Sequence, residues 1–343
     1  MYKRNDALVY KPQINIAIPS SKRMWLVFSC AFICIVQSAI TDAGRSLIIA
    51  IAALTAAMLA ELLLTWKKSG FNKIKDGSAA VTAMVLALLL PNQIHPVYAF
   101  FGALFAIVVV KYSFGGLGSN WLNPALGGWL FIRFSWPQPF NNAFGVSPFS
   151  AYEALTAGTV TVSSFDVALT SFLNRTVFFL ANTELPFGYF DLLFIRDAGI
   201  IADRGLFALL AGSIALIALR ISRFYLPVLF LFVFGFLTWF LGDIPFGGQL
   251  WNGNILYGFF SGGTIAAAFI LSTEPASGAK TKYGALAAVT LGAVLSWLFR
   301  YPGLEYSGAF IAIAFVNCLM PVIRMLEVKL FFCRKTAYSQ EPV

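Results

Sequence analysis

The chain predicts an all-α integral membrane protein: about ten transmembrane helices in two inverted five-helix repeats, with short broken helices. Three observations carry this. Of 343 residues, 59% are hydrophobic and 11% charged, with a mean hydropathy of +0.78, whereas soluble domains carry about 25% charged residues. Several apolar runs approach the ~20 residues that cross a bilayer core. The stretch from Asp76 to Phe134 is echoed by a second from Gly262 to Ile323.

Residues 1–23 hold Lys3, Arg4, Lys11, Lys22 and Arg23 and read as a cytoplasmic segment. The first half, 24–136, contains five apolar segments, near 24–40, 46–66, 77–90, 97–110 and 124–136. The third ends at Leu90-Pro91, the fourth at Lys111, and the fifth starts at Asn123-Pro124. Residues 137–204, with Pro137, Pro139, Pro148 and Pro186 among many Ser, Thr and Asn, form a long loop of the kind that is usually functional. The second half, 205–323, supplies segments near 205–219, 224–241, 254–271, 283–299 and 306–323. A basic tail, 324–343, follows. The polar start precedes many spans, so the first apolar run reads as an uncleaved helix.

The net charge of +9 does not call for nucleic acid, because membrane proteins collect Lys and Arg in cytoplasmic loops. In the ten-segment reading every Lys and Arg except Arg45, Arg133, Arg175, Arg196, Arg204 and Arg300 falls on the side of the N-terminus. That bias places both termini in the cytoplasm and the 137–204 loop outside.

Gly77-Ser78-Ala79-Ala80 resembles Gly263-Thr264-Ile265-Ala266. Each opens a run that ends at a proline, Pro91 or Pro275, and each is followed by Gly-Ala-Leu, at 102–104 and 284–286. Five spans per half make the repeat inverted. Broken helices then meet at membrane depth, where protein, water or a ligand must satisfy their ends. The same architecture suits a secondary transporter or channel without a redox cofactor.

Few residues offer chemistry. Glu61 either faces the bundle, on an ion or proton path, or snorkels to the cytoplasmic face. Asp76 reads first as a helix cap and second as a ligand contact. Asn123 is a candidate cap for the fifth helix, and Asn120 with Asn123 a candidate amide pair for a flat heterocycle. The single histidine, His95, sits in a polar turn. Cys30 and Cys34, one helical turn apart, read as packing residues more simply than as a metal or redox pair. The chain contains no Ser-His-Asp arrangement, HExxH or phosphate-binding loop.

Asp76-Gly77-Ser78-Ala79-Ala80-Val81-Thr82, Asn123-Pro124-Ala125 and Ser272-Thr273-Glu274-Pro275 together resemble the RnfD/NqrB family over roughly residues 20–325. Its members are membrane subunits of the Rnf complex and of the sodium-pumping NADH:quinone oxidoreductase. The length is closer to the Rnf D subunit. The resemblance implies a bacterial inner-membrane protein whose outer loop carries FMN, esterified through its phosphate to the last Thr of Asp-x-x-Ser/Thr-Gly-Ala-Ser/Thr. Here that motif falls on Glu153 to Thr159, with Thr159 as acceptor and Thr156 or Thr161 as fallbacks. Glu153 stands for Asp, and Ala157-Gly158 reverses the usual pair. The resemblance further implies a non-covalent flavin, usually riboflavin, near Asn120 and Asn123, and matches Gly199–Asp203 to a Gly-Ser-x-Gly-Glu stretch. It implies as partners the other subunits of the complex, including an outer-face flavoprotein subunit, together with a periplasmic flavin transferase and membrane lipid. The expected function is that of a flavin-carrying electron-transfer subunit of an ion-translocating oxidoreductase, rather than of a self-contained enzyme.

Overall fold

A computed structural model describes residues 19–66, 74–143 and 163–338, apart from 114, 117, 119, 177, 182–184, 186, 194–198, 243, 247–248, 252, 275–276, 280 and 304. Among the described residues the chain is helical throughout, with one isolated antiparallel bridge, between Pro91 and Ile200, as its only extended pairing.

The first half holds α1 (Ser20–Thr41), α2 (Arg45–Thr65), α3 (Ser78–Leu89), α4 (Pro96–Phe105), which continues as a π-helix over Ala106–Tyr112, and α5 (Pro124–Ser135). The intervening segment holds α6 (Gln138–Ala143), α7 (Ser164–Thr176), α8 (Tyr189–Leu192) and α9 (Ile201–Arg204). The second half holds α10 (Leu206–Ala218), α11 (Tyr225–Leu241), α12 (Ile255–Phe260), α13 (Thr264–Ala266), which runs into a π-helix over Ala267–Leu271, α14 (Lys282–Arg300) and α15 (Gly308–Tyr338). Each expected apolar segment coincides with helix. The four spans Ser20–Thr41, Arg45–Thr65, Lys282–Arg300 and Gly308–Glu327 are long and apolar enough to cross a membrane, and shorter apolar helices accompany them. With large side chains such as Ile40, Leu63, Phe232 and Ile214 turned outward, this is a multi-pass membrane protein.

Two elements differ from the sequence expectation. The segment near 254–271 is not one helix. It breaks at Ser261-Gly262-Gly263, where both glycines adopt positive φ of 69°. The last helix does not stop near Ile323 but runs through Arg324 to Tyr338.

Local chemistry sets the helix ends. Gly77, with φ of 74°, precedes α3 as its N-cap, and Pro91 follows the extended residue that caps its far end, Leu90. That keeps α3 to twelve residues, or ~18 Å. His95 and Asn123 cap α4 and α5, each ahead of a proline at the first helical position, where the missing N–H costs nothing.

Small residues set the packing. Ala50, Ala53, Ala57 and Ala60 line the buried stripe of α2 and let neighbouring helices approach closely. A Cβ on Gly128 would lie 2.6 Å from the Gly102 carbonyl, so α4 and α5 touch backbone to backbone. Likewise, Cys34 Sγ lies 3.2 Å from the Gly205 carbonyl and Cys30 Sγ 3.7 Å from that of Gly212, which makes both thiols part of the α1–α10 seam. Between the halves, Trp129 of α5 packs edge-on against Phe310 of α15, with ring centres 5.4 Å apart, and Arg133 pairs with Glu305 at 3.0 Å.

The intervening segment is organised by Asp166, which is fully buried. Its carboxylate accepts the backbone N–H groups of Gly188, Phe190 and Asp191 at 2.8–3.0 Å. Asp191 in turn receives the Ser163 N–H at 2.8 Å.

Candidate functional site

Two clusters of buried charge lie at opposite ends of the bundle. The start of α1 marks one end, since Ser21 and Trp25 donate to the Lys75 carbonyl. The end of α1 marks the other, since Arg204 donates to Thr41.

The first cluster is built on α2, α3 and the π-helical end of α4. Asp76 accepts both the N–H and the hydroxyl of Ser78, at 2.8 and 2.7 Å, and so opens α3. The Ser78 oxygen also accepts from Lys111 Nζ at 2.7 Å. Lys111 is 1% exposed and donates to Glu61 Oε1 at 2.7 Å, and the Tyr112 hydroxyl donates to the same oxygen at 2.9 Å. Glu61 therefore faces the bundle and is wholly buried. Its second oxygen, Oε2, is buried with no hydrogen-bond partner among the described residues. Lys111 belongs to a π-helix, a local form that recurs at functional sites.

Asn120 joins this cluster through the backbone. In the orientation that satisfies its amide, the nitrogen donates to the Lys111 and Gly116 carbonyls at 3.1 Å. Asn123 Oδ1 accepts the N–H groups of Ala125 and Leu126 at 2.8 and 3.3 Å. In this structure both asparagines hold helix ends.

The second cluster is built on α9, the α12–α13 break and the end of α14. Asp203, 2% exposed, accepts the Gly263 N–H at 2.9 Å and the Tyr306 hydroxyl at 3.1 Å. Arg300 Nη1 lies 2.7–2.8 Å from the Gly258 and Ser261 carbonyls and from Thr264 Oγ1. Its Nη2 donates to Ser261 Oγ at 2.5 Å. The rings of Phe234, Tyr301 and Tyr306 surround the guanidinium with centres 5.8–5.9 Å away.

The clusters share a plan. A left-handed glycine, Gly77 or Gly263, precedes a hydroxyl residue, Ser78 or Thr264. That hydroxyl meets a buried cation at the end of the next helix, Lys111 or Arg300, and each cation is followed by a tyrosine.

A cavity of ≈ 210 Å³ lies within the second half. Phe230, Val289 and Val316 form its apolar wall, and Glu274 and Asn317 bring polar groups to it. The Asn317 Nδ2 is buried without a partner among the described residues. Glu274 belongs to the Ser272–Pro275 stretch.

Among the expected site residues, Glu61 and Asp76 come together through Lys111 and Ser78, and Asn120 holds the carbonyl of that lysine. Glu153, Thr156, Thr159 and Thr161 lie outside the described residues. The sequence reading left out Lys111, Ser78, Arg300 and Asp166. The recurrence of Lys111-Tyr112 as Arg300-Tyr301 was the available signal for two of them.

The profile of the NQR2, RnfD, RnfE family matches residues 8–332. A protein of Alcanivorax borkumensis, named as the D subunit of an ion-translocating oxidoreductase complex, is 30% identical over 257 residues, 73% of each chain. One of Clostridium ljungdahlii, named as the D subunit of a proton-translocating ferredoxin:NAD(+) oxidoreductase complex, is 26% identical over 318 residues, 91% of each chain. With the match running over nearly its whole length, the chain belongs to the NQR2, RnfD, RnfE family.

Proposed function

We propose that this chain is the flavin-carrying electron-transfer membrane subunit of an Rnf-type complex that moves Na⁺ or H⁺. The observation that carries the reading is the near full-length family match together with relatives named as D subunits of ion-translocating oxidoreductases. The other subunits of such a complex, an outer-face flavoprotein subunit among them, are its partners in this reading. So are a periplasmic flavin transferase and the lipid that meets the outward apolar side chains.

FMN would be held covalently at Thr159, within the segment that Ser163, pinned to Asp191, follows four positions later. When bound, it supplies the redox chemistry. A non-covalent flavin is proposed near Asn120 and Asn123. The chemistry of the second-half cavity, an apolar wall with an Asn317 amide nitrogen that has no partner among the described residues, also suits an isoalloxazine edge. The shared plan of the two charge clusters supports two inverted five-helix halves, with both termini cytoplasmic and the 137–204 loop periplasmic. Glu61 and Asp76 are proposed for the ion path, because intramembrane carboxylates are kept for function.

The test is covalent flavin. The protein is expressed with its flavin transferase, run on a denaturing gel and imaged for flavin fluorescence, beside Thr159→Ala. A fluorescent band that Thr159→Ala abolishes is expected. A dark wild-type band removes the covalent flavin and leaves the transporter reading, which the buried ion pair and broken helices also suit. A band that survives Thr159→Ala moves the acceptor to Thr156 or Thr161.

A further inference from the structure

We propose that α7 is an in-plane membrane anchor. It lies along the lipid–water boundary beside the second half, with the rings of Phe165 and Phe172 in lipid. So placed, it holds the segment that precedes it at the membrane surface.

The first ground is the pattern of α7 itself. Around this thirteen-residue helix the side chains sort into three faces. Asp166 and Thr170, four apart and hydrogen-bonded to each other, are buried and make the face towards the protein. Phe165, Ala168 and Phe172 recur at i, i+3 and i+7 and are all exposed, the two rings by 59% and 61%. Ser164, Ser171 and Arg175 recur at i, i+7 and i+11 and form a polar line beside them. A helix in the membrane interface needs one face for lipid and one for water. A helix that is also fixed to a protein needs the third.

The second ground is the amount of apolar surface. Phe179, 75% exposed, and Phe187, 46% exposed, follow in the same module. Phe165, Phe172 and Phe179 together present on the order of 400 Å² of exposed ring, which is the scale of the largest apolar patch on a typical soluble monomer. Arg175 is the one cation on α7 and sits in its last turn, where a snorkelling side chain keeps its head in water.

The third ground is depth. α8 lies against both α7 and α12. Tyr189 of α8 is hydrogen-bonded to Asn254, the cap of α12, and Gln37, near the end of α1, donates to the Leu193 carbonyl at 3.3 Å. Just before Asn254, Gly253 donates to the Trp239 carbonyl at 3.2 Å. Trp239 and Phe240 pack on Trp251 with ring centres 4.6 and 4.4 Å away. Both tryptophans are exposed, and tryptophan gathers at the membrane–water interface. α7 is thus tethered at the level of this aromatic cluster. The same cluster continues into the lipid-facing side of α11, where Phe232 is 70% exposed. That continuity selects lipid, rather than a protein partner, as the occupant of the apolar face.

Ser163, at the head of α7, is pinned to Asp191. Thr159 stands four positions earlier, within ~14 Å of it even when fully extended. An anchored α7 therefore keeps an acceptor at Thr159 close to the membrane surface. That consequence rests on the flavin reading above, whereas the anchoring itself does not.

The test places nitroxides at Phe172→Cys and, one residue away on the polar line, at Ser171→Cys. The full chain is held in nanodiscs of phosphatidylethanolamine and phosphatidylglycerol, both within its complex and alone. The unsubstituted chain, with its four cysteines, supplies the background. Collision with O₂ against collision with a water-soluble Ni(II) complex reads the depth. The label at 172 is expected to favour O₂ and to lie ~5–10 Å below the headgroups, while the label at 171 favours the Ni(II) complex. The same reagent favoured at both positions overturns the proposal. So does a label at 172 that neither reagent reaches: in the complex only, a partner subunit covers the face, and in both preparations the chain covers it itself. If Phe172→Cys does not fold, Phe179→Cys takes its place with the same expectation. The measurement needs no flavin. A lipid-buried label beside a dark gel band keeps the anchor and removes the flavin, and a water-exposed label beside a Thr159-dependent band does the reverse.

Discussion

Replacing Glu61 by alanine removes the carboxylate that faces a lysine only 1% exposed. Lys111 would keep the Ser78 oxygen, 2.7 Å from its ammonium, as its remaining side-chain acceptor among the described residues. Removing one partner of a buried ion pair costs about 3–5 kcal/mol, chiefly because the other charge stays buried and unpaired. At ~2 °C per kcal/mol, the lower end for a larger domain, the midpoint should fall by roughly 6–10 °C. Adding Lys111→Met removes the stranded charge while keeping an unbranched chain of similar length. The double variant should therefore recover most of the loss, giving a coupling of about 3 kcal/mol. Thermal unfolding of the purified protein in detergent, followed by circular dichroism, reads all four corners of the cycle. A Glu61→Ala loss under about 1 kcal/mol, or a double variant as unstable as the sum of the singles, would refute the buried pair.

Other perturbations test the remaining parts of the architecture. Arg300→Lys keeps the charge but loses the fork that spans the Gly258 and Ser261 carbonyls and Ser261 Oγ; thermal unfolding should show a loss of roughly 1.5–3 kcal/mol. Asn123→Ala uncaps α5 and should cost about 1 kcal/mol in the same assay, whereas Asn123→Ser should restore most of it. If Asn123 also touches flavin, the serine variant should keep its stability and lose non-covalent flavin on purification. Asp166→Ala deprives the Gly188, Phe190 and Asp191 N–H groups of their acceptor. Limited proteolysis should then cut near residues 185–191 faster, with the transmembrane core intact.

The helices were legible because hydrophobic runs, prolines and caps agree. Asn123-Pro124 announces α5 in the sequence, and the structure shows that asparagine accepting two N–H groups. Other features depend on partners that the sequence keeps far apart. Glu61 could be read as facing in or snorkelling, since Lys111 stands fifty positions later and looks like a flanking charge after an apolar run. The break at Ser261–Gly263 was only half legible, since Gly263-Thr264 reads as opening a run while the residues on both sides are as apolar as a continuous helix. Its cause is tertiary: the freed carbonyls of Gly258 and Ser261 are taken up by Arg300 from α14. The extension of α15 past Ile323 was missed for the opposite reason, since hydropathy drops at Arg324 while helix propensity does not. Asp166 draws its meaning from N–H groups more than twenty residues away.

The short bridge between Pro91 and Ile200 has a mechanical side. Ile201 donates to the Leu90 carbonyl and Asn92 to that of Gly199, both at 3.0 Å, so the last residues before α9 are riveted to the end of α3. At its other end, about 18 Å away, α3 carries Ser78. A helix of twelve residues does not stretch. Any axial displacement where the segment between the two halves rejoins the bundle must therefore be taken up by the whole rod and delivered to the hydroxyl that touches Lys111. The chain has a push-rod between its two ends, and the length of that rod is fixed by Gly77 at one end and Pro91 at the other.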